Sequence, residues 1–172
     1  MASVSLLEER ETLAAEVTGE DTPRRICFVC TGNTCRSPMA EAVAAALLSR
    51  EGRKDLCVCS RGLFACDGES ITPLAVQALE DAEIPAIQGR DYHTHKARSM
   101  RAEEVCTYDL IVAMTDAHVM QLLMRFPEAA ERITAMPKSI SDPFGGDLGV
   151  YRACLSQICD GVRALLASEG SS

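Results

Sequence analysis

Three residue types at two places in this chain are spaced for phosphorus chemistry. The first place is Cys30-Thr31-Gly32-Asn33-Thr34-Cys35-Arg36-Ser37, a nucleophilic thiol and a guanidinium separated by five residues. The second is Ser141-Asp142-Pro143-Phe144-Gly145-Gly146, a carboxylic acid on a turn. A thiol facing the N–H groups of a tight loop and the start of a helix ionises readily and becomes a strong nucleophile. Arg36 offers a planar fork suited to two oxygens of a tetrahedral oxyanion. Gly32 and Asn33 both tolerate the positive φ values that let successive N–H groups converge on an anion. Asp142 is placed to supply a proton to a leaving group. Together these groups describe phosphoryl transfer to Cys30, with Thr31, Gly32, Asn33, Thr34, Cys35, Arg36 and Ser37 as the phosphate cradle.

The flanking sequence is what such a loop needs. Ile26-Cys27-Phe28-Val29 reads as a strand running into it. Pro38 opens a helical pattern over residues 38–48 running out of it, and Pro is favoured in a first helical turn. Further strands are expected at 57–59, 110–114 and 133–136, and helices at 73–82, 99–104, 116–126 and 150–167. Thr72, Ser99 and Asp116 are the expected N-caps of the first three of these helices. Leu155, Ile158, Val162, Leu165 and Leu166 repeat with helical spacing. Alternating strands and helices give an α/β fold with a parallel sheet covered on both faces. Ligands of such sheets bind beyond the carboxyl ends of the strands.

Composition narrows the function classes. The chain has 172 residues, enough for one domain with a sizeable core, and a net charge of −8. That balance argues against a nucleic-acid partner, which requires a basic face. Nine cysteines accompany a start with no basic n-region and no long apolar run. This predicts a reducing, cytoplasmic setting with free thiols, no secretory signal and no membrane span. Residues 1–24 read as an extension, with Leu6, Arg10, Leu13 and Val17 able to share one side of a short helix. The domain is expected over residues 25–172.

The Cys30 loop resembles the active-site loop of the low-molecular-weight protein tyrosine phosphatase family. Its wording is most similar to the protein arginine phosphatase branch, since tyrosine-specific members usually carry a larger aliphatic residue where Thr34 stands. The Asp-Pro-Phe-Gly-Gly loop points to the same branch. The resemblance covers the chain from about Ile26 to the last helix and implies a four-stranded flavodoxin-like sheet. It implies hydrolysis of phosphorylated proteins through a phosphocysteine, with Cys30, Arg36 and Asp142 catalytic and no metal or cofactor. Inorganic phosphate and vanadate are then inhibitors. It further implies that Ser37 and Asn33 brace the loop with Ser60 and His95, and that Cys35 is a redox partner of Cys30. Thr34 and Phe144 become the specificity residues. The chain departs from the family pattern at Arg61, where Ala is usual, and at Cys59, where many tyrosine-specific members have Asp.

The sequence is compatible with other readings. A tyrosine phosphatase shares the mechanism. A thioredoxin-coupled arsenate reductase shares the loop style but needs two further thiols in a later segment, where this chain offers only Cys106. A non-catalytic phosphate-binding module is disfavoured by the intact Cys30, Arg36 and Asp142. Cys27 with Cys30 forms a C-x-x-C, but on a strand, so Cys27 is expected in the core. A zinc site from Cys57, Cys59, His93 and His95 is set aside, its two cysteines being read as facing opposite ways.

Overall fold

The computed structural model describes residues 22–170. The short helix expected through Leu6, Arg10, Leu13 and Val17 lies outside them. Four strands form one parallel sheet: β1 (Arg24–Cys30), β2 (Leu56–Gly62), β3 (Leu110–Ala113) and β4 (Ile133–Ala135). Their order is β2-β1-β3-β4, so β1 is central. The helices are α1 (Arg36–Arg50), α2 (Pro73–Asp81), α3 (Ala102–Val105), α4 (Asp116–Arg125) and α5 (Leu148–Ser168).

Alternation along β1 divides the core in two. Ile26, Phe28 and Cys30 face the layer of α1, α2 and α5, while Cys27 and Val29 face α3 and α4. β3 behaves likewise, Val112 facing one layer and Ile111 and Ala113 the other, which explains its uninterrupted apolar run. α1 is buried nearly all round because it lies between the sheet and α5. Its alanines at 40, 42, 44, 45 and 46 permit that close approach. The predicted stripe of α5 is buried along its whole length, from Leu155 to Leu166. Each such aliphatic side chain contributes roughly 1.5–3 kcal/mol when fully buried.

Two helix starts differ from the sequence reading. α4 is capped by Thr115, whose hydroxyl accepts from the His118 N–H, and not by Asp116. α3 begins only at Ala102, because Ser99 is held in a parallel bridge to Gly62 and donates its N–H to Asp67. Thr72 does occupy the N-cap of α2 ahead of Pro73, but its side chain makes no capping bond. That hydroxyl is turned instead toward Cys35, with Oγ1 3.0 Å from Sγ.

Candidate active site

Cys30 is the last residue of the central strand, so its loop stands at the carboxyl edge of the sheet. The loop is shaped by what holds its carbonyls. The oxygen of Cys30 accepts from the Leu63 N–H at 2.9 Å, that of Thr31 from Phe64 at 2.9 Å and that of Thr34 from Thr72 at 2.9 Å. His95 donates Nε2–H to the Asn33 oxygen at 2.9 Å. With its carbonyls drawn outward, the loop turns its N–H groups inward as an anion-binding nest. α1 follows at once, with Cys35 at the N-cap and no side-chain cap, so its first-turn N–H groups and positive end stay open to a ligand.

One of the two glycine-tolerant positions behaves as read. Asn33 takes φ 56°, but Gly32 stays out of the left-handed region. The turn at Asn33 sends its own N–H to Cys30 Sγ at 3.3 Å. The Asn33 side chain is fully buried and braced from three directions. Its Nδ2 donates to Ser37 Oγ and to Ser60 Oγ, both at 2.9 Å, and its Oδ1 accepts from the Arg98 N–H at 2.9 Å. Ser60 passes the chain on to Glu41 at 2.5 Å, and Glu41 meets Arg90 at 3.5 Å. Arg61 does not disturb this arrangement, since its guanidinium turns to the Glu104 carboxylate, 3.1 Å away, on the opposite face of β2. A second close approach fixes the loop's distance from the sheet. A Cβ built on Gly62 would fall 2.7 Å from the Thr31 oxygen and 3.0 Å from the Asn33 nitrogen. Only the absence of a side chain there permits the fit.

Around the sulfur, Ser37 Oγ lies 3.0 Å from Cys30 Sγ. Arg36 is only 5% exposed, and its Nη1 donates to the Ile140 oxygen at 3.1 Å. Its Nη2 stands 3.5 Å from the Asp142 carboxylate, which is itself half exposed. Asp142 Oδ1 also accepts from the Phe144 N–H at 3.0 Å. A cavity of about 230 Å³ opens over Cys30, lined by the loop with Arg36, Glu69, Asp142 and Phe144. Larger hollows of about 450 and 500 Å³ lie along α5 with α2, α1 and the segment after α2, and contain no residue of the loop. The larger hollows also carry a thiol, Cys159, with arginines and acids around it, but only the 230 Å³ cavity sets its thiol in the anion-binding loop at the start of a helix.

Five residues of this neighbourhood were not legible as site residues from the sequence, Thr72 being read there only as a helix cap. Glu41, Thr72 and Tyr151 support the loop from other elements, Tyr151 with its hydroxyl 3.4 Å from Cys35 Sγ. Glu69 lines the cavity. His118 sets Nε2 2.9 Å from Thr31 Oγ1 and Nδ1 3.0 Å from Thr115 Oγ1. Burial, aided by the Arg36 cation, pushes the His118 pKa down to about 4, so the imidazole is neutral near pH 7. Its only local sequence signal was the Thr three residues earlier, which marks a helix start.

The other thiols are separated from this chemistry. Burial holds the Cys27 thiol well above its ordinary range, and Cys27 and Cys30 face opposite layers of the core. Burial likewise pushes Cys154 up to about 12. Cys106 caps α3, ahead of β3 at the amino edge of the sheet, away from Cys30 at the carboxyl edge. The two cysteines of the conceivable zinc site do not face opposite ways, as the sequence suggested. Cys57 and Cys59 are two residues apart on β2 and therefore share one face of the strand, as the burial alternation records. That face is opposite the layer on which the Tyr92–Thr94 turn packs, so the histidines are not brought to the cysteines. Among the described residues no three acidic, His or Cys side chains cluster as a metal site.

A parallel sheet that presents a thiol, a buried guanidinium and an acid around one anion nest defines a cysteine-based phosphoryl-transfer protein. The comparisons give the family. The low molecular weight phosphotyrosine protein phosphatase family matches residues 25–169, and the chain belongs to it. A protein-arginine-phosphatase of Geobacillus stearothermophilus is 36% identical over 79% of this chain and 89% of its own. A low molecular weight protein-tyrosine-phosphatase of Staphylococcus haemolyticus is also 36% identical, over 78% of this chain and 91% of its own. The solved structure of an arginine phosphatase from Geobacillus stearothermophilus superposes with a TM-score of 0.76 at 31% identity, covering 87% of this chain and 94% of that one. The four-stranded parallel sheet of this chain agrees with the one implied by the resemblance, and the protein is a cysteine-dependent protein phosphatase of the low-molecular-weight family.

Proposed function

We propose that this phosphatase hydrolyses phosphoarginine residues in proteins through a phosphocysteine on Cys30. The carrying observation is the composition of one cavity: Thr34 in its wall beside Cys30, with Asp142 and Phe144 at its mouth. In the proposed first step the Cys30 thiolate attacks phosphorus in line. A sulfur–phosphorus bond forms as the phosphorus–nitrogen bond breaks, and Asp142 gives its proton to the leaving nitrogen. Arg36 and the loop N–H groups hold the equatorial oxygens, which is the main electrostatic contribution. Ser37 donates to the sulfur, favouring the thiolate and easing its departure. In the second step Asp142 takes a proton from water as that water attacks phosphorus, and the thiolate leaves with inorganic phosphate as product. Phosphate and vanadate bind the same cradle as inhibitors.

Phosphoarginine is favoured over phosphotyrosine for a physical reason. A guanidinium is narrow, planar and rich in donors, while a phenyl ring is broad and apolar. Thr34 crowds the wall near phosphorus and still offers a hydroxyl. Asp142 can accept from guanidinium N–H groups, and Phe144 can cover the cation by a cation–π contact. The tyrosine reading keeps one specific support, the equal identity to the staphylococcal tyrosine phosphatase. Turnover of phosphoarginine and phosphotyrosine peptides by the same preparation separates the two. The Thr34→Ile variant should shift the kcat/KM ratio toward phosphotyrosine by at least about tenfold, or ~1.4 kcal/mol of differential transition-state binding. An unchanged ratio, with wild type faster on phosphotyrosine, assigns the chain to the tyrosine branch.

All nine cysteines are free, which supports a reducing, cytoplasmic setting. No helix among the described residues is long and apolar enough to cross a membrane. Cys35 remains a candidate disulfide partner for Cys30 under oxidation. To reach it, the Cys35 thiol would have to leave Thr72 and Tyr151.

A further inference from the structure

The cavity over Cys30 holds a second carboxylate, and its placement is hard to reconcile with a neutral leaving group. Glu69 lies between β2 and α2, whereas Asp142 lies between β4 and α5. Because β2 and β4 are the two edges of the sheet, these loops reach the cradle from opposite sides of β1. Asp142 has the Arg36 cation 3.5 Å away. Among the described residues the Glu69 carboxylate has no hydrogen-bond or ion-pair partner. Its backbone is nonetheless held, its oxygen accepting from the Ala97 N–H at 2.7 Å and its N–H donating to Cys66 at 3.2 Å. The neighbouring cation, Lys96, is engaged by Ser70 at 2.8 Å, and Arg101 by Asp67 at 2.8 Å.

A free carboxylate beside a site for a phosphate dianion repels that dianion. It favours binding only when the substrate carries positive charge just beyond phosphorus. An aryl phosphate carries none, while the guanidinium of phosphoarginine is a cation joined directly to phosphorus.

We propose that Glu69 is a specificity-determining residue that accepts from the guanidinium edge facing away from Asp142, so that the cation is held between two carboxylates. This rests on the phosphoarginine reading above. Glu69 is exposed, so the expected effect is modest and sensitive to salt.

The test uses the full chain, its Glu69→Gln and Glu69→Lys variants, and peptides of one sequence bearing either phosphoarginine or phosphotyrosine. Glu69→Gln should lower kcat/KM for phosphoarginine by about three- to tenfold, chiefly through KM, and raise it for phosphotyrosine. Glu69→Lys should exaggerate both changes. Added salt should narrow the gap between wild type and Glu69→Gln on phosphoarginine. A ratio of the two activities unchanged by either variant, or equal losses on both peptides, overturns the role of Glu69 and leaves the phosphoarginine reading standing. A wild-type enzyme that does not turn over phosphoarginine peptides overturns both.

Discussion

The Cys30 loop and the Asp142 loop face each other across one cavity, yet they are built in contrasting ways. The first is closed by buried polar bonds: Asn33 alone engages Ser37, Ser60 and Arg98, and His95 fixes its carbonyl. The second holds itself mainly by short-range bonds, Phe144 N–H to Asp142 and Gly146 N–H to Pro143, both within a turn. Phe144 is 79% exposed, whereas Asn33 is fully buried. The difference follows from the task each is proposed to perform. Charge on the equatorial oxygens must be met by donors already in place, because reorganising them during the reaction would cost part of the stabilisation. The acid must instead admit a substrate, give up a proton and then accept one from water. Few buried contacts put its loop at the low end of local stability, where such motion is available.

Substitutions can break this contrast, beginning with the largest effect. Cys30→Ser should abolish turnover while vanadate or phosphate still binds by calorimetry, since the cradle survives the loss of its nucleophile. Retained turnover above about a tenth of wild type would falsify the phosphocysteine mechanism. Asp142→Ala should lower kcat by about 10²–10⁴-fold on phosphoarginine peptides with the phosphate affinity little changed. Less is expected on p-nitrophenyl phosphate, whose leaving group needs little protonation, and equal losses on both would argue against an acid role.

Stability measurements sharpen the comparison further. Asn33→Ala removes donors from two buried hydroxyls and places a Cβ-bearing, non-bonding residue at positive φ. It should cost about 2–4 kcal/mol in denaturant unfolding. Phe144→Ala should stay within about 0.5 kcal/mol, as an exposed surface change does. Equal costs would mean the two loops are braced alike. A further test concerns pH. The folded His118 pKa of about 4 lies below its ordinary 6.5, so the unfolded chain takes up the proton first. Its stabilising contribution is therefore complete above pH 6.5 and is lost as pH falls through the folded value. The loss is on the order of 3 kcal/mol at most. His118→Gln should flatten the stability profile between pH 6.5 and 4, and an unaltered slope would assign the effect to other groups.

What the sequence made legible was local. The Cys-to-Arg spacing, the strand before it and the helix after it placed the cradle, and Asp142 with Pro143 placed the opposite loop. Apolar periodicity located all four strands and the main helices, with ends shifted by a few residues. Hidden features depend on contacts between distant segments. Tyr151 reaches Cys35 across 116 residues and His118 reaches Thr31 across 87, and no local pattern encodes either. The misread cap at Ser99 has the same origin, since Ser99 is drawn into a bridge with Gly62, a partner that propensity does not know; the cap at Thr115 was one residue off within a local signal. The error over Cys57 and Cys59 was geometric, since residues two apart on a strand share a face.

The bond from Arg36 to the Ile140 oxygen bears on how the protein is made. Chains emerge from the ribosome N-terminus first. Cys30 and Arg36 therefore leave the exit tunnel more than a hundred residues before the carbonyl that fixes the guanidinium fork. Helix α5, with the Tyr151 hydroxyl, follows later still. A nascent or truncated chain thus carries the thiol without its oriented cation, and on the proposed mechanism such a chain is inactive until Ile140 has joined the fold.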